Sequence, residues 1–404
     1  MTAAAAPQLK GRNKFPTLSL LVVLAAGGAV LALFYPPVRE RLDRFQYWTA
    51  DWRTVLLADR ASDTHKGVVI ILFDPATFDG NVTSPIPRDT HAQVLRAVDA
   101  MHPSAIGLDF FFVASQGTEK DSAIMTTLHE IKTPIVLGAI DAHTDEFSDQ
   151  QKAYQAHFLA GAGRPTGYIA LRYDPGHIVR RTSPPIPGAP FQESFARQVA
   201  LASKAKLNGP GASSASMPIA WVVGAGYDTQ PFLTVSARDL LPGTSAERRA
   251  PLAEKVKGNV VLTGIAMPNY DRHDTALSVW TDDKMLGVMV HAHIIAQLLD
   301  GRYFTELRGK HLWSYLAVVG LIGLGLGWLV RGRRASFLNL SAATVILVVI
   351  DAVCYLALRT VLPFMLSLYV WFAGVLAGQN LRLIARWAAA RLRAPAMSEL
   401  SPKD

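Results

Sequence analysis

The run GVVIILFD (Gly67–Asp74) carries no charge until its last residue and is rich in Val and Ile. Apolar β-branched residues without alternation suit a strand buried on both faces, as in parallel sheets covered by helices. PRDTHAQVLRAVDAM (Pro87–Met101) then reads as an amphipathic helix, with Pro87 suited to its start and Leu95 and Val98 recurring on one face. SAIGLDFFF (Ser104–Phe112) is a second strand, a helix through Ile124, Leu128 and Ile131 follows, and PIVLGAI (Pro134–Ile140) is a third strand. This alternation predicts right-handed βαβ units, and so an α/β domain with a mainly parallel sheet.

Beyond Asp141 the pattern loosens. TGYIALRYD (Thr166–Asp174) and WVVGAG (Trp221–Gly226) are strand-like, PFQESFARQVALASK (Pro190–Lys204) is helical, and NVVLTGIA (Asn259–Ala266) is another buried strand. GVMVHAHIIAQLLDG (Gly287–Gly301) is a helix leading out of the domain, and the Gly-, Ser- and Ala-rich Leu207–Met217 is expected to be a mobile loop.

Half of the 404 residues are apolar, and the excess lies at the two ends. Pro16–Phe34 is uncharged and about the ~20 residues a transmembrane helix needs. Bulky Leu33-Phe34-Tyr35 before Pro36-Pro37 makes a poor cleavage site, so a retained anchor is favoured over a signal peptide. From Pro36 a helix is expected to run on from this span. Leu312–Val330, Phe337–Leu358 and Leu362–Leu381 are three further spans.

Basic residues flank them at Lys10, Arg12 and Lys14, at Arg331, Arg333 and Arg334, and from Arg382 to Arg393. The positive-inside rule then puts residues 1–15 and 382–404 in the cytoplasm and residues 35–310 outside, with a bacterial inner membrane as the setting. The formal charge of +8 is concentrated beside the spans, which argues against nucleic acid as a partner. The single cysteine, Cys354, excludes an intramolecular disulfide.

Within the spans, Asp351 is either a contact point for a partner helix or a carboxyl hydrogen-bonded inside the bundle, for instance to Gln379 or Asn380. Gly323 and Gly327 form a GxxxG, with Ala25 and Ala29 similarly spaced, and packing within one chain or dimerisation accounts for them equally.

In the outward domain no catalytic constellation stands out. There is no GxSxG, and VGAGYD (Val223–Asp228) lacks the rest of a dinucleotide fingerprint. Asp74 and Asp109 sit at C-terminal ends of strands, the edge where open α/β sheets bind ligands, although such residues also cap helices. His291 and His293 are two apart on a helix and should splay, and DRHD (Asp271–Asp274) has no metal-binding spacing, so no metal or cofactor is expected. Arg180-Arg181, after an Asp-Pro-Gly turn at Asp174–Gly176, suit an anion clamp or pairing with acidic neighbours. Asn81-Val82-Thr83 is a glycosylation triplet without meaning in most bacteria.

Several segments resemble, in register, the type-2 CHASE (CHASE-2) domains, extracellular sensory modules of bacterial receptors. SPIPR (Ser84–Arg88) with His91-Ala92 is similar to that family's Trp-Pro-Trp-Pro-Arg…His-Ala segment, with both Trp replaced. GLDFFF resembles its Phe-Asp strand, and YDPGHIVRRTSP (Tyr173–Pro184) its Asp-Gly-x-x-Arg-Arg-x-Pro stretch, with His177 a departure. LTVSARDLL (Leu233–Leu241), GNVVLTGIA and GVMVHAHIIAQLLDGR match later blocks in order, so the resemblance spans about Asp51–Gly301.

The resemblance implies one anchor helix, the sensory domain and three further spans, commonly as a dimer. The family's usual cytoplasmic output domain does not follow Leu381. The expectation is therefore a membrane sensor or sensory subunit without catalytic activity, signalling through a separate chain. The alternative is a structural or assembly subunit that uses the domain as a docking platform. Arg88, His91, Asp109, Arg180, Arg181, Asp271 and His291 are the polar positions expected to serve an unknown small-molecule or protein ligand.

Overall fold

The computed structural model describes residues 14–398 except 81–84, 142–143, 208–210, 212, 214, 227–228 and 269. The glycosylation triplet and part of the Leu207–Met217 loop therefore lie outside the described residues. The chain divides into two compact units, one of residues Asp51–Thr305 and one of the segments up to Ala50 and from Glu306 onward.

Helix α1 (Lys14–Leu31) ends in a 3-10 turn, and α2 (Pro36–Leu57) follows after one residue, Tyr35, at φ −90° and ψ 116°. The break has a local cause: a residue before proline is driven to extended backbone, and Pro36 is well placed as the first residue of a new helix. Residues of α2 up to Ala50 belong to the unit of the two terminal segments and those from Asp51 to the Asp51–Thr305 unit.

Among the described residues of the Asp51–Thr305 unit, six strands form one sheet: β1 (Val68–Phe73), β2 (Ala105–Leu108), β3 (Ile135–Ala139), β4 (Thr166–Tyr168), β5 (Leu233–Ser236) and β6 (Val260–Ile265). They lie in the order β4-β3-β2-β6-β1-β5, and every neighbouring pair is parallel. From β1 the chain builds the sheet one way through β2, β3 and β4, then places β5 on the other side of β1 and inserts β6 between β1 and β2. The C-terminal ends of β1, β6 and β2 are thus neighbours where the order reverses, the place where open α/β sheets hold ligands.

The uninterrupted apolar run of β1 serves two cores at once. Val69, Ile71 and Phe73 join one, and Val68, Ile70 and Leu72 the other. The first is covered by α3 (Arg88–Asp99), α4 (Thr118–Glu130) and α5 (Asp149–Ala162), whose Leu95, Leu128 and Phe158 pack into it. The second is covered by α6 (Phe195–Ala202) and α9 (Gly287–Asp300) through Phe195, Val199 and Ile295. Helices α7 (Ala246–Val256) and α8 (Ser278–Thr281) complete the unit. Full burial of each strand aliphatic contributes about 1.5–3 kcal/mol, which is why the run tolerates no polar interruption.

A smaller sheet lies in the same unit. The hairpin Tyr173–Asp174/Ile178–Val179 pairs through Ile178–Val179 with a parallel segment, Arg272–Thr275, which in turn pairs with Met285–Leu286. The expected strand Thr166–Asp174 is therefore two pieces in two sheets, the expected strand at Trp221–Gly226 shrinks to Val222–Val223 pairing with Asp59–Arg60, and the expected helix from Pro190 begins only at Phe195. Helices α5 and α7 lie where no element was expected.

Among the described residues, the other unit holds four helices that are long and apolar enough to cross a membrane: Thr17–Phe34, Gly309–Leu329, Arg334–Leu358 and Phe364–Arg391. Helices α10 (Gly309–Leu329) and α12 (Phe364–Ser398) meet backbone to backbone, with α11 (Arg333–Leu358) between them in sequence. A Cβ built on Gly327 would come within 2.3 Å of the Val375 carbonyl oxygen, and one on Gly378 within 2.1 Å of that of Leu324. The GxxxG of Gly323 and Gly327 thus packs within the chain. Gln379 donates to Ser336 Oγ and Asn380 to the Leu376 carbonyl, bonds that engage the two amides suggested for Asp351, which is itself buried. The last helix does not stop at Leu381, because the stretch from Arg382 to Arg393 is rich in Ala, Leu and Arg, which are strong helix formers.

Candidate functional site

At the reversal point β1 ends in Asp74, whose carboxylate accepts hydrogen bonds from Thr77 N, Thr77 Oγ1 and Ser236 Oγ. It caps the turn Pro75–Phe78, so its position is explained by structure. Asp109, just past β2, is held by its N–H on the Thr263 carbonyl at 3.0 Å, with its carboxyl buried. Burial pushes that carboxyl well above the ordinary carboxylate range, and the charge of Asp271 adds to the effect.

Asp271 has φ 48°, in the left-handed region that Asp tolerates better than most residues. Its carbonyl accepts from Gly287 N at 3.0 Å, and its carboxylate lies against the Cα of Gly287, the first residue of α9. A Cβ there would sit 2.4 Å from Asp271 Oδ2, so any larger residue would have to push the carboxylate aside.

His273 Nε2 is 2.8 Å from Asp271 Oδ1, and His273 Nδ1 is 2.6 Å from the Tyr173 hydroxyl. A carboxylate only accepts, so His273 Nε2 is the donor in the bond to Asp271. One turn into α9, His291 is buried among apolar side chains. Burial lowers its pKa to about 4 against the opposing pull of Asp271, and neither ring nitrogen makes a hydrogen bond of normal geometry. The Ile169 backbone favours its protonated form without aligning for such a bond. Of the seven expected positions, Asp109, Asp271 and His291 are therefore brought together, joined by His273 and Tyr173.

The others lie apart. Arg88 is 1 % exposed, and its guanidinium donates to Asp121 Oδ1 at 2.5 Å, the Tyr154 hydroxyl at 2.9 Å and the Ala114 carbonyl at 2.6 Å. It also lies over the rings of Phe112, Tyr154 and Phe158, so it locks α3 to the Ala114–Gly117 loop, α4 and α5. His91 packs among Phe73, Phe110 and Phe112, and burial lowers its pKa to about 3. Arg181 donates to the Ser216 carbonyl.

Arg180 does clamp an anion, namely the carboxylate of Asp51 on α2, at 2.8 and 2.7 Å. Burial raises the Asp51 carboxyl above its ordinary value, and Arg180 offsets this only in part. His291 and His293 splay as their spacing predicted, His291 toward Phe195 and His293 between Trp221 and Phe232.

Sequence reasoning missed a cavity of about 360 Å³ within this unit. Its apolar walls include Val55 of α2, Val222, Leu277, Leu286 and Met289, with buried His293 beside them. Among the described residues, the cationic side chains Arg60, Arg272 and Lys284 and the carboxylate of Asp283 line it. Lys284 Nζ pairs with Asp274 at 3.2 Å, and Arg272 Nη1 donates to the Lys284 carbonyl. Trp280, 46 % exposed, also lines the cavity and meets Trp52 of α2 edge to face at 5.7 Å. The glycines of VGAGYD, insufficient as a nucleotide fingerprint, line it through Gly224 and Gly226. These residues come from separate stretches of chain, and no local spacing announces their convergence.

Of the curated proteins and the solved structures, none matches the chain. The model of the CHASE2 domain matches residues 21–330, which takes in the six-stranded sheet, the cavity and the first two membrane-length helices. The chain therefore belongs to the CHASE2 family of extracellular sensory domains.

Proposed function

We propose that this protein is a bacterial inner-membrane sensor or sensory subunit. Its Asp51–Thr305 unit lies outside the cytoplasm, takes a small molecule in the cavity, and passes occupancy through α2 to a separate regulatory protein. The observation that carries this reading is what the cavity shares with α2. Val55 lines the cavity, Trp52 touches Trp280 on its wall, and Asp51 is clamped by Arg180 beside the hairpin that pairs with Arg272–Thr275. In the other unit, Gln46 of the same helix accepts from Met365 N at 2.9 Å, at the start of α12. One helix thus has polar ties in the ligand-binding unit and in the membrane-length bundle. A ligand favouring one setting of α2 biases the bundle by its differential affinity for the two settings.

The test is affinity purification of tagged full-length protein in mild detergent, with mass spectrometry of what accompanies it. A cyclase, kinase or other regulatory enzyme at near-stoichiometric yield is the expected result. Recovery of envelope or secretion proteins alone contradicts it and favours a docking platform.

A further inference from the structure

We propose that the exposed face of the first half of α2 binds the phosphate of an anionic phospholipid. This goes beyond the sensory reading and needs only that the four membrane-length helices span a bilayer.

The start of α2 is held at the ends of those helices. Leu42 packs against Leu33, Leu316 and Leu366, which come from the first span, α10 and α12. Gln46 Nε2 donates to the Leu362 carbonyl at 3.4 Å, and its Oε1 accepts from Met365 N at 2.9 Å, where α12 begins. At about 1.5 Å of rise per residue, Gln46 lies roughly 15 Å along the helix from Pro36. A helix that still touches the mouth of a span at that distance runs along the membrane surface instead of standing away from it.

With about 3.6 residues per turn, Arg41, Arg44, Phe45 and Trp48 share a face turned away from Leu42 and Gln46. Phe45 is 60 % exposed and Trp48 55 %, and both arginines are exposed. Arg39 is engaged by Asp43 at 3.0 Å. Among the described residues, the side chains of Arg41 and Arg44 have no hydrogen-bond or ion-pair partner, nor does that of Glu40 at the edge of the face. Two arginines thus outnumber one carboxylate.

Aromatic rings suit the headgroup boundary, and the arginine fork suits two phosphate oxygens. The same exposed surface begins in the first span, at Leu31 and Phe34, so lipid already lies beside it. A second copy is the poorer occupant, because two-fold pairing through this face sets Arg41 and Arg44 against their own counterparts.

The test uses full-length protein in liposomes that contain dibrominated lipid, which quenches tryptophan on contact. The signal of Trp48 is the difference between the native chain and Trp48→Phe. Dibrominated phosphatidylglycerol is expected to reach Trp48 with about fivefold higher relative affinity than dibrominated phosphatidylcholine, the equivalent of about 1 kcal/mol for one net positive charge near the surface. Arg41→Gln/Arg44→Gln should remove that preference while both lipids still quench. Arg386→Gln, toward the far end of α12, should leave it unchanged.

Equal quenching by the two lipids in the native chain overturns the anionic class. A preference that survives Arg41→Gln/Arg44→Gln overturns the role of the two arginines. A Trp48 that neither lipid quenches overturns the inference altogether, since something other than lipid then covers the face. None of these outcomes touches the sensory reading, which stands or falls on partner recovery.

Discussion

Breaking the Asp51–Arg180 pair is the perturbation that most sharply separates a working tie from an ornamental one. The two side chains are 5 % and 10 % exposed and share two hydrogen bonds of 2.8 and 2.7 Å. Removing one partner leaves an uncompensated buried charge, which costs about 3–5 kcal/mol. Replacing both by apolar residues of similar volume is close to neutral, because the burial of two charges consumes most of what their attraction supplies. The raised Asp51 carboxyl is the same imbalance seen from one side, with burial outweighing the arginine.

Asp51→Ala and Arg180→Met are therefore each expected to lower the unfolding midpoint of the full-length protein in nanodiscs by roughly 6–20 °C, taking about 2–4 °C per kcal/mol for a domain of this size. The double variant Asp51→Leu/Arg180→Met should recover most of that loss while uncoupling ligand binding from partner recovery. Single losses below about 1 kcal/mol, the range of an exposed pair, would refute the reasoning, as would losses that simply add.

Gly378→Ala should destabilise the solubilised protein by about 1–3 kcal/mol through forced separation of α10 and α12, whereas Gly325→Ala, whose Cβ would meet nothing within 4 Å, should not; thermal unfolding in detergent checks both. Arg88→Met should cost about 1.5–3 kcal/mol through the charge-assisted hydrogen bonds lost to Asp121, the Tyr154 hydroxyl and the Ala114 carbonyl, since Asp121 keeps its bonds from Ser115, Gln116 and Tyr154. It should leave partner recovery unchanged in the protein that remains folded; thermal unfolding and affinity purification check the two. Acid should destabilise the outward domain. His91 and His293 have folded pKa values lowered to about 3 and His291 to about 4, so below their unfolded value of about 6.5 only the unfolded chain takes up protons. Stability is then lost as pH falls from 6.5 toward 3–4, by up to about 2 kcal/mol per ring at pH 5. Asp109 acts in the opposite direction, its raised pKa favouring the fold at low pH, so Asp109→Asn should raise the unfolding midpoint at pH 8 and give no gain at pH 4.

What could be read from the residues alone follows from how local each cause is. β1, β2, β3 and β6 are legible because burial on both faces demands unbroken apolar runs, and α3 and α9 because each presents a regular apolar stripe. Helix α5 escaped because its apolar residues are diluted by Gln, His and Gly, although Ser148 with Gln151 forms a capping box and Gly163 ends the helix in the left-handed conformation. Those two end signals were the readable clue. The break at Tyr168 was invisible because it is tertiary: the Tyr168 hydroxyl reaches the Pro184 carbonyl, and the chain leaves one sheet to pair in another. Among site residues, strand-end logic led to Asp109, and the DRHD segment to Asp271. His273 was quoted there but not singled out. Arg88 and His91 stood out as polar residues in a motif, yet their burial makes them keystones of packing. The cavity depends on five segments meeting, which no spacing encodes.

The most direct test of coupling through α2 is hydrogen–deuterium exchange in the full-length protein in nanodiscs, comparing the native chain with Met289→Trp, whose larger side chain fills the cavity. Filling the cavity is expected to alter exchange in the Arg272–Thr275 strand, in the Tyr173–Val179 hairpin and along Asp51–Leu57. Exchange that changes only at the cavity walls while α2 stays constant would contradict it, leaving a pocket that binds without signalling.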